Sequence, residues 1–72
     1  MYHRIRDLRK DKNLSQAEIS KILGMSQTGY SKYETGENDI STGMLIKLAE
    51  FHNTSVDYIL ERTNIKEPYA EK

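Results

Sequence analysis

Apolar side chains recur along this chain at intervals of three and four residues and nowhere alternate for long with polar ones. That spacing gathers them on one side of an α-helix, whereas a half-buried strand needs a period of two. An all-α fold is expected. Ile5 and Leu8 share one face of a first helix from Tyr2 to Lys12, and Arg and Lys occupy the rest of it. Ser15 opens the pattern S-x-x-E with Glu18, a capping box in which hydroxyl and carboxylate satisfy amides left free at a helix start. A second helix runs from there to Leu23. Gly24 ends it by tolerating positive φ, and Met25 is an apolar plug in the turn. Ser26 caps a third helix that continues to Glu34 and ends at Thr35-Gly36. Beyond the polar loop Glu37-Asn38-Asp39, Ser41 caps a fourth helix with Met44, Leu45, Leu48 and Ala49, and Ser55 a fifth with Val56, Ile59 and Leu60. Residues 1–62 thus form one domain, and residues 63–72, with Pro68 and few apolar groups, read as a flexible tail.

Length and charge sharpen this picture. At 72 residues the chain has one small core, and without cysteine neither a disulfide nor a thiolate metal site supplements it. No apolar run approaches the roughly 18 residues of a membrane span, and the N-terminus is too polar for a signal peptide, so a cytoplasmic protein is expected. The formal net charge of zero conceals an asymmetry. Residues 1–33 carry seven basic and three acidic groups, and residues 34–72 carry four basic and eight acidic ones. A polyanion would meet the first half.

Two short helices joined around a glycine make a helix-turn-helix. The stretch "LSQAEISKILGMSQTGYSKYETG", residues 14–36, resembles the phage-repressor/Cro-type helix-turn-helix, or xenobiotic-response-element, family. Gln16, Ile19, Ser20, Leu23-Gly24-Met25, Tyr30, Tyr33 and Glu34 before Thr35-Gly36 carry the match. "MLIKLAEFHNTSVDYIL", residues 44–60, is similar to the family's fourth and fifth helices. The resemblance implies a five-helix lambda-repressor-like domain that binds double-stranded DNA, as a transcriptional repressor of a phage or mobile element acting as a homodimer on a palindromic operator. A different use of the same fold is a protein-interaction module, an antitoxin or regulator-binding subunit, with the acidic second half as its contact surface.

A helical wheel tests the reading helix independently. With Gln27 at zero, Ser31 falls at about 40°, Thr28 at about 100° and Lys32 at about 140°, while Tyr33 and Tyr30 fall at about 240° and about 300°. The tyrosines therefore face the core. The polar side suits a major groove, where Gln pairs with adenine, Lys reaches guanine acceptors and Thr meets thymine. Gln27, Thr28, Ser31 and Lys32 are the candidate base readers. By resemblance, Gln16 holds a phosphate at the start of helix 2, with Ser26, Asn38 and Lys12 as further phosphate contacts. Arg4, Arg6 and Lys10 are weaker candidates, because a basic helix face is ordinarily just solvated. The resemblance also implies an Arg9–Glu34 bridge. Helix 5 carries apolar surface beyond what docking a short helix needs, with Ile65 and Tyr69 beyond it, so Tyr58, Arg62 and Ile65 are expected to line a weak dimer interface.

Some residues depart from the family pattern. Glu37 and Asp39 stand where relatives often carry Lys or Arg, and repel a phosphate backbone unless they turn away. Gly29 costs up to about 1 kcal/mol relative to Ala inside a helix, and leaves room for DNA or another helix to approach. Ser20 replaces a common Ala, and its hydroxyl is expected to bond a carbonyl one turn back. No nucleophile triad, glycine-rich phosphate loop or paired carboxylate stands out, so no enzymatic activity is expected. His3 and His52 have no acidic or cysteine cluster nearby. No metal site, cofactor or small-molecule ligand is expected.

Overall fold

The computed structural model describes residues 2–68 and contains five helices: α1 (His3–Asp11), α2 (Gln16–Leu23), α3 (Gln27–Thr35), α4 (Thr42–His52) and α5 (Val56–Ile59). Four of them begin at a serine. Ser15, Ser26, Ser41 and Ser55 each accept a hydrogen bond from the amide three residues on, and Glu18 completes the capping box by accepting from the Ser15 amide at 2.8 Å. Between α2 and α3, Gly24 takes φ 73°, and the Met25 amide donates back to the Ser20 carbonyl at 2.9 Å. This left-handed closure turns the chain within three residues and sets α3 against α2. The Ser20 hydroxyl is buried and donates to the Ala17 carbonyl at 2.9 Å.

Ile5 and Leu8 of α1, Ile19 and Leu23 of α2, Tyr30 of α3, Leu48 and Ala49 of α4 and Ile59 of α5 form the core, joined by Ile40 from the loop before α4. Each large aliphatic side chain buried here contributes about 1.5–3 kcal/mol, which a domain this small cannot spare. Tyr33 is only half-buried and meets Tyr30 edge to face, with ring centroids 6.5 Å apart. Two details differ from expectation. Helix α5 is a single turn, and Leu60 is its C-cap, 38% exposed instead of in the core. Glu61 follows at φ 61° and redirects the backbone, so Leu60 has no helical turn to press it inward. Gly29 leaves room for its own helix cap: a Cβ there would lie 3.0 Å from the Ser26 hydroxyl and 3.3 Å from the Met25 methyl carbon.

The segment after α5 is tied to α1. The Arg4 guanidinium lies 4.0 Å from the centre of the Tyr58 ring and donates to the Tyr58 carbonyl at 2.9 Å, to the Thr63 carbonyl, and to Asn64 Oδ1 at 3.0 Å. The Thr54 hydroxyl donates to the Lys66 carbonyl. Tyr69 lies outside the described residues. Among the described residues, no helix is long and apolar enough to cross a membrane.

Candidate nucleic-acid interface

The two Ser-Gln pairs open α2 and α3, and both glutamines line one open cleft of about 500 Å³ together with Thr28, Ser31, Lys32 and Glu37. All four candidate base readers are in it. The Ser26 hydroxyl is occupied as the cap of α3, accepting from the Gly29 amide at 3.0 Å. Asn38 is exposed beyond the end of α3, where its amide donates to the Lys32 carbonyl at 3.2 Å. Lys12 stands apart, with its ammonium 5.2 Å from the centre of the Phe51 ring of α4 and outside the cleft lining.

Gln16 also borders a second cleft, with Arg6, Arg9, Glu34 and Thr35. Its amide nitrogen donates to Glu34 Oε1 at 3.1 Å. Arg9 grips the same carboxylate with two prongs, Nε to Oε2 at 2.8 Å and a terminal nitrogen to Oε1 at 3.2 Å, while its other terminal nitrogen donates to the Leu14 carbonyl at 2.9 Å. The pair is nearly enclosed, with 12% of the Arg9 side chain and 5% of the Glu34 side chain exposed. Burial pushes the Glu34 carboxyl up, but the hydrogen bonds from Arg9 and Gln16, with the Tyr30 hydroxyl close by, outweigh it and hold the group below the usual carboxylate range. The same bond to Glu34, against the cost of burial, raises the Arg9 guanidinium. The Tyr30 hydroxyl is buried beside the pair without a hydrogen bond of ordinary geometry; burial first, and then the adjacent carboxylate, raises its phenol. Because an ionised carboxylate only accepts, the Gln16 amide is oriented with its nitrogen toward Glu34. Its second N–H remains available beside the cleft.

Residues 5–59 match the helix-turn-helix family model, and the cleft combines the starts of the two helices that define the motif. The chain belongs to the phage-repressor/Cro-type helix-turn-helix family. This is a class of non-enzymatic DNA-binding transcriptional regulators. Among curated proteins it is 40% identical over 62 residues to the ImmF control region 10 kDa protein of Bacillus phage phi105, covering 86% of this chain and 68% of that one. It is 32% identical over 69 residues to the HTH-type transcriptional regulator YobD of Bacillus subtilis, covering 96% of this chain and 62% of YobD. The RstR transcriptional repressor of cryptic phage CTXphi in Vibrio cholerae is 36% identical over 59 residues, with 82% and 53% covered. The chain spans about three fifths of YobD's length, 62%. No solved structure matches the chain significantly.

Within this helix-turn-helix domain, two candidate contacts, one in α1 and one at its C-cap, are directed elsewhere. Arg4 is spent on the segment after α5, and Lys12 on Phe51. Both would have been hard to exclude from sequence, because their partners lie far along the chain. Thr35 borders the second cleft without having been a candidate contact, and Glu37, expected only to repel a phosphate unless turned away, lines the first. The position of Glu37 just past the Gly36 C-cap was the available signal. His52 is buried at the end of α4, with neither ring nitrogen hydrogen-bonded, and its ring meets Phe51 edge to face at 4.9 Å. Burial first, then the positive Lys12 and Lys66, pushes its imidazole down to about 4.

Proposed function

We propose that this chain binds an operator as a homodimer, with α3 in the major groove, and acts as a transcriptional repressor of a phage or mobile element in the cytoplasm. The cleft uniting Gln16 with Gln27, Thr28, Ser31 and Lys32 carries this reading. One member of the set stands at the start of α2 with a free amide N–H, suited to a phosphate at a helix N-terminus, and four stand on α3 with the donors and acceptors that base edges require. Similarity to a phage control-region protein and to a phage repressor favours repression over other regulatory outcomes. For the homodimer, Ile65 is 60% exposed and Leu60 38% exposed near Tyr58, whose ring is held in place by Arg4. Two copies joined at this end place their reading helices on half-sites one helical turn apart.

Fluorescence anisotropy on random and library-selected DNA, at low and moderate salt, tests the reading. Gln27→Ala and Thr28→Ala should each cost about 1–3 kcal/mol on the selected site and almost nothing on random DNA, whereas Gln16→Ala should weaken both. Absence of binding even at low salt would leave the protein-interaction module as the function of this fold.

A further inference from the structure

Glu37 is an acidic residue in a cleft otherwise suited to a polyanion. It does not turn away. The α3 C-cap, Gly36 at φ 85°, folds the chain back so that the Gly36 and Asn38 amides both donate to the Lys32 carbonyl, at 3.1 and 3.2 Å. Residue 37 is held between those two anchors, and its own amide is within 3.5 Å of the Thr35 hydroxyl. Its carboxylate makes no hydrogen bond or ion pair among the described residues, and it borders the same cleft as the base readers. It also sits at the negative end of the α3 dipole, so this end of the helix repels a phosphate twice over. A bound duplex must place a hydrogen-bond donor here or leave a desolvated carboxylate unpaired.

The major groove narrows the choice. Thymine offers an acceptor and a methyl group, guanine offers two acceptors, and adenine sets an acceptor beside its amine. Cytosine presents its N4 amine alone. The guanine opposite adds two acceptors, and the Lys32 ammonium on the same cleft supplies donors for them.

We propose that Glu37 is a specificity-determining residue, its carboxylate accepting the N4 amine of a cytosine at one position of each half-site and penalising every other base there. This rests on the DNA-binding reading above. It adds a discriminating contact at an acidic residue whose charge alone would only repel the duplex. Discrimination then comes from repulsion as much as attraction, since a carboxylate weakens binding to any sequence lacking its partner.

The test is selection from a random duplex library by the wild-type chain, Glu37→Ala and Glu37→Gln. Glu37 is exposed, so neither substitution removes a core contact. The wild type should enrich a cytosine at one position of each half-site that Glu37→Ala leaves unspecified, with the other positions unchanged. Gln, which donates as well as accepts, should admit adenine there. On the selected site, changing that cytosine to thymine should weaken the wild type on the order of tenfold and Glu37→Ala hardly at all. Glu37→Ala should also bind random DNA more tightly than the wild type. Identical base preferences in wild type and Glu37→Ala, including the case of a uniform gain on all sequences, would overturn the assignment by reducing Glu37 to simple charge repulsion. If the wild type enriches no sequence, the DNA-binding reading fails and the Glu37 assignment with it, which separates the two failures.

Discussion

Replacing Glu34 with Ala is expected to bring this domain close to unfolding. The substitution removes both prongs on Arg9 and the bond from Gln16, and leaves a guanidinium whose side chain is 12% exposed with the Leu14 carbonyl as its remaining polar partner. Stranding one partner of a buried pair typically costs about 3–5 kcal/mol. A core of this size supplies a net stability of only about 3–5 kcal/mol, so the loss is comparable to the whole. Arg9→Ala should cost somewhat less, because Gln16 still serves the carboxylate. The double mutant strands neither group and should lie well short of the sum, with a coupling of about 2 kcal/mol or more. Urea melts followed by circular dichroism on the four proteins measure the cycle. If Glu34→Ala is unfolded without denaturant, Glu34→Gln replaces it, retaining one acceptor for Arg9. Because Glu34 holds its proton less tightly when folded than when unfolded, the pair's contribution is present above the ordinary Glu range and disappears as pH falls through the depressed folded value. Additivity within about 0.5 kcal/mol would refute the argument and make both groups independent surface charges.

Three further outcomes are expected. His52 titrates near 6.5 when unfolded and at about 4 when folded, so the unfolded state binds the extra proton between those values, and stability should drop by about 3 kcal/mol as pH falls from 6.5 to 4. Melts across that range should show a shallower drop for His52→Phe, and an unchanged slope would contradict the burial of a neutral ring. Ile65→Asp alters a side chain that is 60% exposed, so it should leave the melting midpoint unchanged while lowering cooperative binding to a palindromic site; undiminished cooperativity would remove Ile65 from the dimer interface. Arg4→Ala should accelerate amide exchange after α5 well beyond any change in α2 or α3, because it releases the Thr63 carbonyl and Asn64 together.

The helices were readable in the sequence because the signals that set them are local. A serine cap acts over three residues, a glycine C-cap over one turn, and helical periodicity over two, so the five helix starts and the ends of the first three helices fall within one residue of their observed places. Most of the cleft was readable for the same reason, since the start of α2 and the polar face of α3 belong to one short motif. What the pattern did not reveal are side chains whose partners are remote. Arg4 looked like a solvated cation until residues 58–64 folded over it, and His52 looked like an isolated imidazole although it is buried at the end of α4 with the charges of Lys12 and Lys66 nearby. The Arg9–Glu34 pair is equally remote, and it was anticipated through family resemblance, since spacing alone does not imply it.

The two Ser-Gln pairs show the difference most clearly. Both serines cap, as their sequence context requires, but the glutamines beside them do different work. Gln27 is exposed in the cleft, whereas one N–H of Gln16 belongs to a carboxylate that also holds Arg9. Gln16 therefore links the buried pair to the surface on which a phosphate would rest. Replacing Glu34 with Gln should then change two quantities at once: stability, through Arg9, and phosphate affinity, through an amide that has lost its fixed orientation. Gln16→Ala should change affinity while costing the fold less, because Arg9 still satisfies the carboxylate. If both variants weaken random-DNA binding by similar factors at a temperature where both remain folded, Glu34 acts on DNA through Gln16. If Glu34→Gln leaves that binding unchanged, the bond between them serves the fold alone.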